Sequence, residues 1–99
     1  MTVLETLTFR TAPGVAEPEF LAADTRVQAR FFNTRAGCVR RTTARASGED
    51  GAWIVVTMWE APGDADTAAA EEAAHPAAVA FTELVDPSSV RRGRYVTLD

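Results

Sequence analysis

The run Ala52-Trp53-Ile54-Val55-Val56-Thr57-Met58-Trp59-Glu60 decides the fold. In a strand, successive side chains point to opposite faces. Trp53, Val55 and Trp59 therefore share one side and Ile54, Val56 and Met58 the other. Both faces are apolar, as expected of a central strand covered on both sides. Immediately upstream, Ser47-Gly48-Glu49-Asp50-Gly51 supplies turn chemistry, and before it Cys38 to Ala46 (CVRRTTARA) is rich in β-branched residues but strongly cationic. The two runs predict a hairpin.

Farther upstream, Pro18 suits the first turn of a helix, and Glu17 and Glu19 complement its dipole. Phe20, Leu21, Asp24, Val27, Gln28, Phe31 and Phe32 then recur at spacings of three and four, predicting an amphipathic helix that begins near residue 17 and stops at Gly37. Residues 2 to 10 alternate, with Val3, Leu7 and Phe9 on one side, and read as the first strand. Downstream, Asp64 or Asp66 is the expected cap of an alanine-rich helix. His75 and Pro76 should kink or restart it, and Val79, Ala80, Phe81 and Leu84 form its second apolar stripe. Asp86 and Pro87 close that segment, and the run from Arg91 to Asp99 contains a short final strand.

The order strand, helix, hairpin, helix, strand predicts an α+β, ferredoxin-like βαββαβ unit: a four-stranded antiparallel sheet with both helices on one face. The second face of that sheet is left bare, yet Ile54, Val56 and Met58 are apolar. A second copy of the chain is the expected cover, giving a homodimer. Burying ~500 Å² of apolar surface per subunit, at roughly 25 cal/mol per Å², favours association by about 12 kcal/mol, against an association cost of about 4 to 15 kcal/mol.

Composition bounds the function. The 99 residues suit one domain spanning residues 1–99, and 46% hydrophobic with 24% charged residues describes a globular chain. No apolar run is long enough for a membrane span. The opening MTVLETLTFR carries Glu5 where a secretory leader needs a basic start, so a cytoplasmic location is expected. Cys38 is the single cysteine, and one thiol with one histidine is too little for a zinc site, so no metal is expected. The net charge of −4 disfavours a nucleic-acid partner, although arginines cluster at 40, 41, 45 and at 91, 92, 94.

Three features resemble the antibiotic biosynthesis monooxygenase group of dimeric α+β barrel proteins: AGCVRR at 36–41, WIVVTMWEAPGDAD at 53–66, and His75 in the second helix. The resemblance, which spans nearly the whole chain, implies a homodimer with a pocket for a small hydrophobic or aromatic ligand, such as a polyketide-like compound. It also implies oxygenation without a cofactor. Oxygenases of this group let a bound electron-rich phenol or enol give up a proton, with Asn, Trp and Arg around the pocket. Haem degraders of the same fold use an Asn in the first strand and a Trp and a His around the second helix. Here the first strand has Thr6 and Thr8 and the second helix Ala68, Ala69 and Ala70, so of the haem-degrader set only His75 carries over. A non-catalytic ligand-binding or interaction module on the same scaffold is the alternative.

Each candidate site residue has two readings. His75 is a candidate acid, base or orienting group, or a helix cap. Arg41 is the candidate to stabilise developing negative charge, or an edge-strand charge that blunts aggregation. Trp59 is a candidate pocket wall or simply core. Glu5 is a candidate ligand-contacting base or the partner of an arginine. Cys38 reads as a small buried filler and Asn33 as solvent-facing.

Overall fold

The computed structural model describes residues 1–48 and 51–98. Four strands, β1 (Val3–Arg10), β2 (Cys38–Arg45), β3 (Ala52–Trp59) and β4 (Arg91–Val96), form one antiparallel sheet in the order β2-β3-β1-β4. Three helices, α1 (Glu17–Arg30), α2 (Pro62–Glu72) and α3 (Pro76–Glu83), complete the βαββαβ order, with the second helical segment broken in two. The centre of the expected hairpin turn, Glu49 and Asp50, and the last residue, Asp99, lie outside the described residues.

β3 is central, and its burial alternates strictly. Trp53, Val55, Thr57 and Trp59 are buried beneath the helices, whereas Ile54, Val56 and Met58 are half-buried on the other face. Phe20 of α1 anchors the core, with ring centroids 4.6 Å from Trp53, 5.7 Å from Phe9 and 5.5 Å from Phe81. The charged clusters occupy the two edge strands: Arg40, Arg41 and Arg45 lie on β2, and Arg91, Arg92 and Arg94 on β4. Charge on an edge discourages pairing with a foreign strand.

Four local expectations are corrected. α1 ends at Arg30 and a 3₁₀ turn, Phe32–Thr34, replaces its last turn. The tighter turn lets the consecutive Phe31 and Phe32 both reach the core, and the Thr34 hydroxyl donates to the Phe31 carbonyl at 2.8 Å, competing with helical pairing. Ala61, not an aspartate, holds the cap position of α2, because Pro62 presets the first helical φ; Asp64 lies in the first turn. Leu21 and Val79 face solvent, 42% and 40% exposed. Ala23 on α1 and Ala77 and Ala78 on α3 face inward, because the helices approach each other and the sheet closely enough to need small residues.

Gly37 (φ 79°) turns the chain into β2, where its carbonyl accepts from the Glu60 N–H at 2.8 Å, and a β-carbon there would run into the Asp64 side chain. Among the described residues no helix is long and apolar enough to cross a membrane.

Candidate functional site

The α2 residues Ala65, Ala68, Ala69 and Glu72 follow the i, i+3, i+4, i+7 pattern of one helix face. That face stands over the sheet and leaves a chamber of about 110 Å³, because alanine fills so little of the gap. Its floor is Leu7, Val55 and Thr57, and Trp59, Phe32 and Phe81 close the sides. The chamber adjoins an outer groove of about 670 Å³ that runs past Ala73, Val79 and Thr82. Glu5, Ala69, Glu72 and Arg92 line both and form the neck between them.

Arg41 is the deepest charge in the chamber, its side chain 3% exposed. Nη2 donates to Asp24 Oδ1 at 2.9 Å and Nη1 to Gln28 Oε1 at 3.2 Å. The Thr43 hydroxyl donates to the same Asp24 oxygen at 2.9 Å. The guanidinium lies over Phe32 and Phe81, 4.8 and 5.5 Å from their ring centres, an arrangement that favours a cation over an aromatic face. Its Nε–H has no acceptor among the described residues.

Glu5 is held from two sides. The Trp59 indole N–H donates to Oε1 at 3.1 Å, and Arg94 donates to Oε2 at 2.8 and 3.1 Å. Arg94 also reaches Asp66 at 2.9 Å, tying β4 to α2. Glu72 differs: burial pushes its carboxyl above the ordinary value, opposed by the charges of Arg92 and Arg41 and reinforced by Glu5. A carboxylate so placed is a stronger base than one in water.

The structure thus brings Arg41, Trp59 and Glu5 to one chamber. It sets His75 elsewhere: Nδ1 accepts the Ala77 N–H at 3.2 Å as the cap of α3, and the ring meets Phe31 edge-on at 5.1 Å. Cys38 is half-buried and burial pushes its thiol up, against the nearby Arg41 charge. Asn33 is exposed and accepts from Gln28. Glu72 and Arg92 are the site residues that sequence reading missed. The helical spacing of Glu72 from Ala65 and Ala68 is the signal that would have found the first. Another hollow of about 670 Å³ lies beside the β2–β3 turn, but its charged groups Glu17 and Arg45 are paired with each other. No group of three or more His, Cys, Asp or Glu among the described residues is placed to hold a metal ion.

Among solved structures, SnoaB, a cofactor-independent oxygenase from Streptomyces nogalater, matches with a TM-score of 0.82 and 23% identity, over 99% of this chain and 94% of its own. A candidate antibiotic biosynthesis monooxygenase from Chloroflexus aurantiacus matches with a TM-score of 0.73 and 14% identity, over 100% of this chain and 95% of its own. The chain shares the α+β fold of these two proteins over nearly its whole length. A conserved Methanosarcina mazei protein shares that fold with a TM-score of 0.76 and 11% identity, over 96% of this chain and 91% of its own. No family model and no curated protein matches the sequence.

Proposed function

We propose that the chain acts as a cytoplasmic homodimer whose cleft binds a small hydrophobic or aromatic compound and oxygenates it without a cofactor. The observation that carries this reading is the neck of the cleft, where Glu72 and Arg92 line the passage between an aromatic and aliphatic chamber and an outer groove. SnoaB, a cofactor-independent oxygenase of the same fold, supports it.

The substrate class is an electron-rich phenol or an enolisable ring ketone. Glu72 takes a proton from the activated carbon or hydroxyl, and the guanidinium groups of Arg92 and Arg41 stabilise the resulting anion. The anion passes one electron to O₂. The substrate radical and superoxide combine to form a C–O bond, and the proton returns to give a hydroperoxide. Loss of water then leaves a carbonyl. For a methylene carbon, CH₂ and O₂ become C=O and H₂O: the carbon gives up four electrons and O₂ accepts four, so no further reductant enters.

The test is oxygen uptake with dithranol, an enolisable tricyclic ketone, together with mass analysis of product made under ¹⁸O₂. Enzymic uptake, one ¹⁸O in the new carbonyl, and a loss of at least about a hundredfold in kcat for Glu72→Gln support the reading. Equal uptake with and without protein removes it for this substrate class. A second reading, a non-catalytic binding module, is favoured by one observation: Glu5, one of the two carboxylates lining the chamber, is tied to Trp59 and Arg94 and so is held in a structural role.

A further inference from the structure

We propose that Ala69 is the specificity-determining residue of the cleft: its small side chain opens the neck, and so decides whether a ring-sized end of the ligand reaches the inner chamber. This rests on the reading that the cleft binds a small molecule, and it adds which position controls passage and what shape of ligand can use the chamber.

Glu5, Ala69, Glu72 and Arg92 line both the chamber and the outer groove, and they differ in what holds them. On the sheet side Glu5 is fixed, because the buried Trp59 donates to one of its oxygens and Arg94 to the other. Arg92 lies on the same side of the sheet, paired with Leu7, two residues along β1 from Glu5. On the helix side stand Ala69 and, three residues on, Glu72. Glu72 and Arg92 make no hydrogen bond or ion pair among the described residues, so both long side chains can swing aside as a ligand passes. The methyl of Ala69 has no rotamer to change. The width that side-chain motion cannot alter is therefore the one between the anchored Glu5 and Ala69.

Exposure separates Ala69 from the other alanines of its helix face. Ala65 and Ala68 are 1% and 3% exposed, so enlarging either would overpack the core. Ala69 is exposed, so a larger side chain there narrows the passage and leaves the core as it is. Leucine is nearly as good a helix former as alanine. Size at position 69 can thus change without cost to the fold. Beyond the neck, the chamber of about 110 Å³ is smaller than the ~150 Å³ apolar cavity that accepts benzene. It has room for at most one flat ring, while the groove of about 670 Å³ takes whatever that ring carries. The ligand class is therefore one with a single unbranched aromatic ring at its narrow end. A branched or saturated end, being thicker, stays in the groove.

The probes are phenol and dithranol, followed by NMR on the intact protein. The methyls of Leu7 and Val55 report on the chamber and those of Val79 on the groove. In the wild type, phenol should shift Leu7 and Val55, and dithranol should shift these and Val79. In Ala69→Leu, dithranol should still shift Val79, the Leu7 and Val55 shifts should vanish, and the affinity for phenol should fall at least about tenfold. Ala69→Ser, close to alanine in size, should behave as the wild type. So should Ala70→Leu, which adds the same bulk one residue on, where neither cavity is lined. Leu7 and Val55 shifts that survive Ala69→Leu, or that Ala70→Leu abolishes equally, overturn the role of Ala69 while the cleft reading stands. A wild type in which dithranol moves Val79 alone does the same. If neither probe moves Leu7, Val55 or Val79, the cleft reading falls together with the role of Ala69.

Discussion

Arg41 and Asp24 have side chains 3% and 15% exposed, and a pair this deep is costly to break from one side. Arg41→Met leaves Asp24 without its cation and should cost about 3 to 5 kcal/mol in urea unfolding. The double variant Arg41→Met with Asp24→Leu should recover most of that loss, because no charge is then left buried. Glu72 acts through pH. Burial raises its carboxyl above the ordinary value, so the folded chain holds that proton more tightly than the unfolded chain. The associated stability is fully present below the unfolded value and is lost as pH rises through the folded value. Glu72→Gln removes the dependence. By calorimetry the variant should melt above wild type at pH 7, with the difference closing as pH falls towards 4.

At the level of elements, the break between α2 and α3 is built from two neighbouring residues. Pro76 cannot donate to a helical carbonyl, and His75, with extended backbone, caps the restart through Nδ1. His75→Ala removes that acceptor and the edge contact with Phe31. It should lower stability by about 1 kcal/mol, seen as a fall in Tm, with ligand affinity unchanged because His75 does not line the chamber. The break itself was legible, since proline acts locally. So was β3, whose apolar residues on both faces required cover on both sides. The end of α1 was not, because the 3₁₀ turn satisfies Phe31 and Phe32 together, a demand set by the core and invisible to helical periodicity. The outward turn of Leu21 and Val79 likewise depends on how near the helices lie. Of the site, Arg41, Trp59 and Glu5 could be named from their strand positions. Glu72 was passed over as one acidic residue in a helix body, because the depth at which an alanine face sits is a tertiary property.

On the scale of the whole molecule, the two faces of the sheet have separate tasks. The helices and the cleft occupy one face, and the other presents Ile54, Val56 and Met58 beside Leu4 and Thr6, all half-buried, with Tyr95 58% exposed at its edge. Val56 lies at the middle, paired with Thr6 on one side and Thr42 on the other. The Tyr95 ring folds over Gly93, where a β-carbon would come within 2.9 Å of it, so this edge of the face stays flat. A flat apolar face related to its copy by a two-fold axis is self-complementary. A carboxylate at its centre would be desolvated without a partner and would approach its own symmetry mate. Val56→Glu should therefore convert a dimer into a monomer in light scattering coupled to size exclusion. Its far-UV circular dichroism should stay that of the wild type, because in the monomer the new charge reaches water and the helix-covered core is untouched. A wild-type chain that runs as a monomer at micromolar concentration would mean that the half-buried face is tolerated in water, and the homodimer would have to be abandoned.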